Sequence, residues 1–241
     1  MEDLRLIVDD LERNARLPAG DDERFFGYVV SGLTFPSGHV LGLRRFPVTS
    51  VGPGYTSVWL RDPAENWSIF TTVPAEKSCP RYFGSGLRHT SVHAIAVDWT
   101  GPRGFTVSIP DIDFSWEATV SDTPVTRLMS GMTAKTPDRL WQSGPFLAAM
   151  GVMSGPALRL GRMRLAGTAP NRQRFRAAPR RLWFIDNSSA RLGATDFGPP
   201  GPLPEQARLG GFWVPQRGTF MIGAAAFETL DPARHLQQST A

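Results

Sequence analysis

The chain has 241 residues, of which 41% are hydrophobic, and its formal net charge at pH 7 is +4. This length allows one large domain, or two small ones, with a genuine core. A single Cys excludes an internal disulfide, and no run of about 18 apolar residues could span a membrane. Because the acidic N-terminus also lacks the pattern of a signal peptide, we predict a soluble cytoplasmic protein.

The first predicted element is an amphipathic helix over residues 3–16, where Leu4, Ile7, Val8 and Leu11 recur at helical spacing. From residue 25 onwards the hydrophobic period changes to two, which is typical of strands. The 24 Gly and 21 Pro break the chain at short intervals and favour many short strands over long helices. The predicted strands are 25–35, 39–46, 55–61, 67–73, 88–99, 105–109, 112–120, 157–166, 180–187, 190–195 and 218–230.

Residues 124–157 interrupt this strand pattern. Thr136 followed by Pro137, and Pro145 further on, are typical of helix N-termini. Five of the seven Met residues lie between 129 and 163. We predict one or two short apolar helices that form a mobile flap over one end of the sheet. The expected organisation is a single domain, 1–241, made of an N-terminal helix (1–20), first strands (25–123), the flap (124–157), closing strands (158–230) and a tail (231–241).

The stretch CPRYFGSGLRHTSVH, residues 79–93, contains the only Cys and two of the four His. His89 and His93 could share a metal ion on a helix, but strand-forming residues surround them, and four strand residues cover roughly 13 Å. We therefore predict no metal site. On a strand, His93 shares a face with Ile95, Val97 and Trp99, which predicts an inward position. It is either a pocket base or ligand-binding group, or a core histidine bonded to the backbone.

Other candidates are fewer. Cys79 is expected to be inert, in a structureless loop over 74–86 whose Arg81 and Tyr82 line a pocket mouth. Asp186 alternates with Leu182 and Phe184 and is a second inward polar candidate, so His93 and Asp186 are the candidate catalytic residues. Strand aromatics and flap methionines supply the rest of the predicted ligand-binding set, which is His93, Trp59, Trp116, Tyr82, Met150 and Met153.

The strongest charge feature is a stretch from Arg139 to Arg181 with nine Arg and no Asp, Glu or Lys. Such a stretch could meet nucleic acid or an anionic membrane. However, Arg159 and Arg164 alternate with apolar residues, as on the solvent-facing side of a strand. No recognition helix or RNA-binding signature accompanies them, so this reading is not favoured.

The segments GYVVSGLTFPSGHVLGLRRF and GTFMIGAAAFE are similar to those of lipocalin-like proteins, the group that includes carotenoid hydratases and related cyclases. The resemblance extends over about residues 25–229 as a pattern and carries over no catalytic residue. It implies a mainly β fold, in which an antiparallel meander closes into a lipocalin-like barrel with an internal pocket for a hydrophobic small molecule.

Three functional hypotheses follow. The first is the binding of a hydrophobic small molecule in the internal pocket. The second is a hydratase, cyclase or isomerase that acts on such a molecule there, without metal or nucleotide cofactor. The third is a basic surface module for nucleic acid or an anionic membrane. The sequence leaves the first two open, because one histidine in an apolar pocket would serve either.

Overall fold

The computed structural model describes residues 3–236, with the backbone alone for Ala157. Residues 1–2 of the predicted N-terminal segment and 237–241 of the predicted tail lie outside the described residues. The helices are α1 (Leu4–Asn14), α2 (Pro80–Phe83), α3 (Pro124–Lys135) and α4 (Gly144–Leu158). The strands are β1 (Glu23–Thr34), β2 (Val40–Thr49), β3 (Tyr55–Arg61), β4 (Trp67–Thr71), β5 (His89–Val92), β6 (Ala96–Trp99), β7 (Gly104–Ile109), β8 (Phe114–Ser121), β9 (Ala166–Thr168), β10 (Arg174–Leu192), β11 (Thr195–Asp196), β12 (Arg208–Leu209), β13 (Phe212–Trp213) and β14 (Thr219–Phe227).

Twelve of these strands form one curled sheet, in the order β5-β4-β3-β2-β1-β14-β10-β8-β7-β6, with β9 and β11 also paired to β10. The mainly β prediction is confirmed. The purely antiparallel meander is not, because β4 and β5 are parallel neighbours. The last strand, β14, lies between β1 and β10 and so joins the two halves of the sheet.

The predicted closed barrel is wrong: the sheet is an open half-barrel, and no ladder joins its edge strands β5 and β6 within residues 3–236. The single strand predicted over 88–99 is split, because the chain leaves one edge of the sheet at His93 and reaches the other at Ala96. Alternation of apolar and polar residues reveals which face a side chain occupies, but not which neighbour a strand pairs with.

The inner face of the curl is a packed core. Val30, Leu43, Val58, Val107 and Trp116 are all buried there, and Leu4, Val8 and Leu11 of α1 pack into the same cluster. Asp3 caps α1 by accepting a hydrogen bond from the Leu6 amide at 3.3 Å. In place of the predicted internal pocket, the inner face therefore carries close-packed side chains.

The helical segment lies on the outer face of the sheet rather than over one end of a barrel. Leu182 and Phe184 of β10 pack with Leu158 and Leu160 around the end of α4. The helix predicted from Thr136 is also displaced: α3 begins at Pro124, where Thr123 and Thr126 form a reciprocal capping box. Pro145 does occupy the first turn of α4, as predicted. Within the described residues, no helix has both the length and the apolar character needed to cross a bilayer.

The loop predicted over 74–86 is not structureless. A 3₁₀ turn (Ala75–Lys77), the one-turn helix α2 and a second 3₁₀ turn (Gly84–Gly86) follow one another there. Pro80 starts α2, and Tyr82 and Phe83 turn their rings onto the outer face of the sheet. Together with β12 and β13, this segment covers a second apolar cluster, which includes Phe25, Phe46 and Trp59.

Candidate functional site

The outer-face cluster encloses a cavity of about 130 Å³ between the sheet, α2 and the segment around Met163. We call it the outer cavity. An engineered apolar cavity of about 150 Å³ holds a benzene molecule, so the outer cavity is of the size that takes a small organic group. Its walls are mainly aromatic and aliphatic, and include Phe25, Phe46, Trp59, Phe175, Phe212 and Phe227.

Three arginines line this cavity, Arg44, Arg164 and Arg176, and Arg44 is the only buried one of the three. Arg44 of β2 is only 8% exposed, and burial lowers its pKa from the ordinary value. Its Nη1 donates to the carbonyls of Val30 and Leu43, at 2.6 and 2.9 Å. The guanidinium also lies over the Trp59 ring, 4.8 Å from the ring centre, in a cation–π contact.

Arg44 has no carboxylate partner in the described part of the chain. A guanidinium carries five N–H bonds, and the two acceptors above engage Nη1 alone, so Nε and Nη2 are left without a hydrogen bond among residues 3–236. A buried charge without a counter-ion is costly, and most buried arginines are paired. Arg44 is therefore a buried cation in an apolar cavity that has no counter-ion among the described residues.

Two weakly acidic groups stand beside Arg44. The Tyr55 hydroxyl and the Cys79 sulfur are 3.1 Å apart, and both side chains are buried. Burial raises the pKa of the Cys79 thiol above its usual range, and burial together with Cys79 raises that of Tyr55. Both groups are therefore neutral at pH 7 and supply no counter-charge. A buried thiol with a raised pKa is a weak nucleophile.

Trp59 presents a further donor. Its Nε1 makes no hydrogen bond of ordinary geometry. It does lie near the Cys79 sulfur, where it slightly opposes the rise in the pKa of the Cys79 thiol. A buried indole N–H usually finds an acceptor. With the free N–H bonds of Arg44, it makes the polar part of this cavity rich in donors and poor in acceptors.

One wall of the cavity is fixed by a buried network around Glu23. Tyr82, whose ring lines the cavity, donates from its hydroxyl to Glu23 Oε2 at 2.6 Å. Arg81 binds both carboxylate oxygens, at 2.6 and 3.1 Å, and Gln173 Nε2 donates at 3.2 Å. Burial alone would raise the pKa of Glu23, but the hydrogen bonds from Arg81 and Tyr82 and the Arg81 charge hold it below the ordinary value. Glu23 is thus committed to holding Tyr82 and Arg81 in place.

The structure brings only part of the predicted ligand-binding set together. Trp59 and Tyr82 line the outer cavity. Trp116 belongs to the inner core, Met150 of α4 packs against the cluster that contains Trp141, and Met153 is 62% exposed. Of the candidate catalytic residues, Asp186 is exposed at the sheet surface, and His93 lies at the open edge of the sheet, bonded to Ser91 and Asp111.

The Arg-rich stretch does not form the continuous strand predicted over 157–166, of which only Ala166 belongs to a strand, β9. Several of its arginines have partners: Arg176 pairs with Asp22, Arg180 with Asp138, and Arg162 lies over the Trp213 ring. These contacts neutralise or occupy part of the charge that a nucleic-acid surface would need.

No protein-family model and no curated protein matches the chain. Among solved structures, a crystal structure of acetoacetate decarboxylase from Legionella pneumophila subsp. pneumophila str. Philadelphia 1 is similar over 94% of this chain and 95% of that chain. The identity is 11% and the TM-score 0.36. A TM-score below 0.5 at this identity supports no inference about fold or function.

Proposed function

We propose that the outer cavity binds a small apolar molecule that carries a carboxylate, with Arg44 as the anion-binding group. The observation that carries this proposal is the buried guanidinium with free N–H bonds on Nε and Nη2. These two nitrogens form one edge of the guanidinium fork, which matches the two oxygens of a carboxylate. A bound carboxylate would supply the missing counter-ion and so offset the cost of burying the charge.

The apolar part of the ligand follows from the walls. A cavity of about 130 Å³ with aromatic walls favours a single ring or a short alkyl chain over a long lipid. The Trp59 N–H can donate to the same carboxylate or to a second acceptor on the ligand. Aromatic and medium-chain carboxylates, such as benzoate and hexanoate, have this size and charge.

Binding is favoured over a reaction in the same cavity, because no group there suits proton transfer near neutral pH. The described residues that line the cavity include no His, Asp, Glu or Lys. Tyr55, Tyr82 and Cys79 all have raised pKa values, with burial as the first cause. A Schiff base needs a lysine amine, and Lys77 and Lys135 are both exposed away from the cavity.

The test compares each carboxylate with a neutral ligand of similar shape. Hexanoate and benzoate are titrated against hexanol and benzyl alcohol, with Trp fluorescence and calorimetry as readouts, since Trp59 and Trp213 line the cavity. A charge-assisted pair contributes about 1.5–3 kcal/mol, so we expect the wild type to prefer the carboxylates by about 10- to 100-fold. Arg44→Met should remove this preference while keeping weak binding of the alcohols.

Arg176→Met is the matched control, because Arg176 also lines the cavity but already pairs with Asp22. It should keep the preference for carboxylates. Arg44→Lys retains the charge without the planar fork, so this variant should retain part of the preference for carboxylates. If Arg44→Met and Arg44→Lys both fold and bind hexanoate as the wild type does, Arg44 serves only the sheet carbonyls and the proposal is wrong.

A further inference from the structure

We propose that Ser91, His93 and Asp111 form a hydrolytic site for small carboxylic esters at the open edge of the sheet. Ser91 lies on β5, His93 follows that strand directly, and Asp111 belongs to the 3₁₀ turn (Pro110–Ile112) between β7 and β8. The site is separate from the outer cavity, and none of its residues lines that cavity. The inference therefore does not depend on the proposed binding of a carboxylate.

The three side chains form a continuous hydrogen-bonded series. Asp111 Oδ2 is 2.5 Å from His93 Nδ1, and His93 Nε2 is 2.6 Å from Ser91 Oγ. These are the contacts by which a carboxylate orients an imidazole and the imidazole activates a serine hydroxyl. On the other side of Ser91, His89 Nε2 lies 2.9 Å from the same hydroxyl oxygen.

The direction of each hydrogen bond can be assigned from the donors available. An ionised Asp111 only accepts, so His93 Nδ1 carries a proton. Nε2 of the neutral ring is then an acceptor, and Ser91 must donate its hydroxyl proton to it. Because this uses the single hydroxyl proton, the contact with His89 requires His89 Nε2 to donate. In this network the Ser91 hydroxyl proton therefore points to His93 Nε2, the group that would remove it.

Two contacts fix the position of His93. Its backbone amide donates to the Thr71 carbonyl at 2.9 Å, and its ring meets Phe70 edge-on with centroids 5.4 Å apart. Its side chain is 11% exposed, whereas that of Asp111 is 57% exposed. The base is therefore held in place by the protein, while His89 is exposed and Ser91 is partly exposed.

The structure also shows how the side chains of His89 and His93 lie relative to each other. The backbones of His89 and His93 are separated by a strand rise of roughly 13 Å over four residues. Both imidazoles nevertheless lean towards Ser91, and each lies within hydrogen-bonding distance of its hydroxyl. That estimate therefore overstated the ring separation. No cluster of three or more potential metal ligands occurs among residues 3–236.

The reaction needs only the ester and water. Ser91 Oγ bonds to the ester carbonyl carbon as its proton passes to His93 Nε2, and the His89 N–H can shift to the developing oxyanion. The bond to the alcohol oxygen then breaks, and His93 returns the proton to the leaving alkoxide. Water attacks the acyl-Ser91 by the same route, which releases the acid and restores the hydroxyl. The neighbouring depression, which includes Val92, Ala94 and Ile95, is shallow and apolar and suits a small acyl group.

The test is covalent labelling with a fluorophosphonate, with p-nitrophenyl acetate hydrolysis as the activity readout. We expect one adduct per chain, mapped to Ser91 by peptide mass analysis. Ser91→Ala should abolish both the adduct and the hydrolysis. A general base contributes about 10²- to 10⁴-fold, so His93→Gln should slow both by at least about 100-fold. Asp111→Asn should slow them less, because Asp111 is solvent-exposed and its field is screened.

Ser189→Ala is the matched control, since Ser189 is an exposed strand serine outside the network. This variant should react with the fluorophosphonate and hydrolyse p-nitrophenyl acetate as the wild type does. Thermal unfolding of each variant establishes that the fold is retained. Ser91→Cys, which keeps a nucleophile beside His93, should retain an adduct with acyl reagents. An adduct on another residue, activity that survives Ser91→Ala, no labelling of a folded wild type, or activity lost on adding EDTA would each overturn the proposal.

Discussion

Trp116→Ala is expected to lower the free energy of unfolding by about 4 kcal/mol, the usual cost of removing a large buried aromatic side chain. Trp116 is 1% exposed in the inner core, where its ring meets Phe105 with centroids 6.0 Å apart. Its Nε1 also donates to Ser188 Oγ at 2.9 Å. Urea denaturation with a fixed slope would measure the loss.

Trp213→Ala provides the comparison for that variant. Trp213 is only half-buried and packs against the side chains of Arg162 and Arg208, so its loss should cost no more than about 1.5 kcal/mol. The sequence predicted that Trp116 lines a ligand pocket. Comparing Trp116→Ala with Trp213→Ala therefore distinguishes a core position of Trp116 from a ligand-binding one. If Trp116→Ala were nearly neutral for stability but abolished ligand binding, the inner face would hold the binding site after all.

Glu23→Gln is expected to cost about 3 kcal/mol at pH 7, because it leaves the Arg81 guanidinium without its charge partner in a partly buried network. The folded pKa of Glu23 lies below its ordinary value near 4.5. Its contribution to stability is therefore fully present above pH 4.5 and is lost as the pH falls through the lower folded pKa. The wild-type advantage over Glu23→Gln should shrink steadily below pH 4.5.

Thermal and urea unfolding at several pH values between 3 and 7 would measure this dependence. Glu65→Gln is the control, since Glu65 pairs with Arg61 but is 73% exposed, and a surface pair contributes little. Its unfolding curves should follow those of the wild type within about 0.5 kcal/mol at every pH. A constant difference between wild type and Glu23→Gln down to pH 3 would contradict the assigned pKa shift.

The elements of this fold were predictable where local periodicity decides the outcome. Alternation over 112–120 and helical spacing over 3–16 correspond to β8 and α1. The pairing of strands was not predictable, because β14 pairs with β1 across about 200 residues of sequence and so separates β1 from β10. The predicted strand over 157–166 failed because Arg159 adopts a left-handed backbone conformation after α4.

The candidate site was only partly visible in the sequence. Tyr82 and Trp59 were identified as aromatic contacts, but Arg44 was missed. A usable signal existed: Arg44 and Arg45 are adjacent on a strand, so they must point to opposite faces. Because α1 covers one face and the α2 segment covers the other, both arginines are at least half-buried. Arg45 forms a salt bridge with Glu12 of α1, whereas Arg44 forms none with any carboxylate of the described chain. Sequence alone does not tell which face is covered.

The position of β14 has a consequence for how the chain is made. The ribosome completes β10 at residue 192 and β14 only at residue 227, which at about 5–20 residues per second leaves an interval of seconds. During that time β1 and β10 each present a free strand edge, because β14, whose ladders join the two half-sheets, is not yet complete. Unpaired edges recruit other chains, so nascent chains stalled in this interval are the ones most exposed to aggregation and to chaperones.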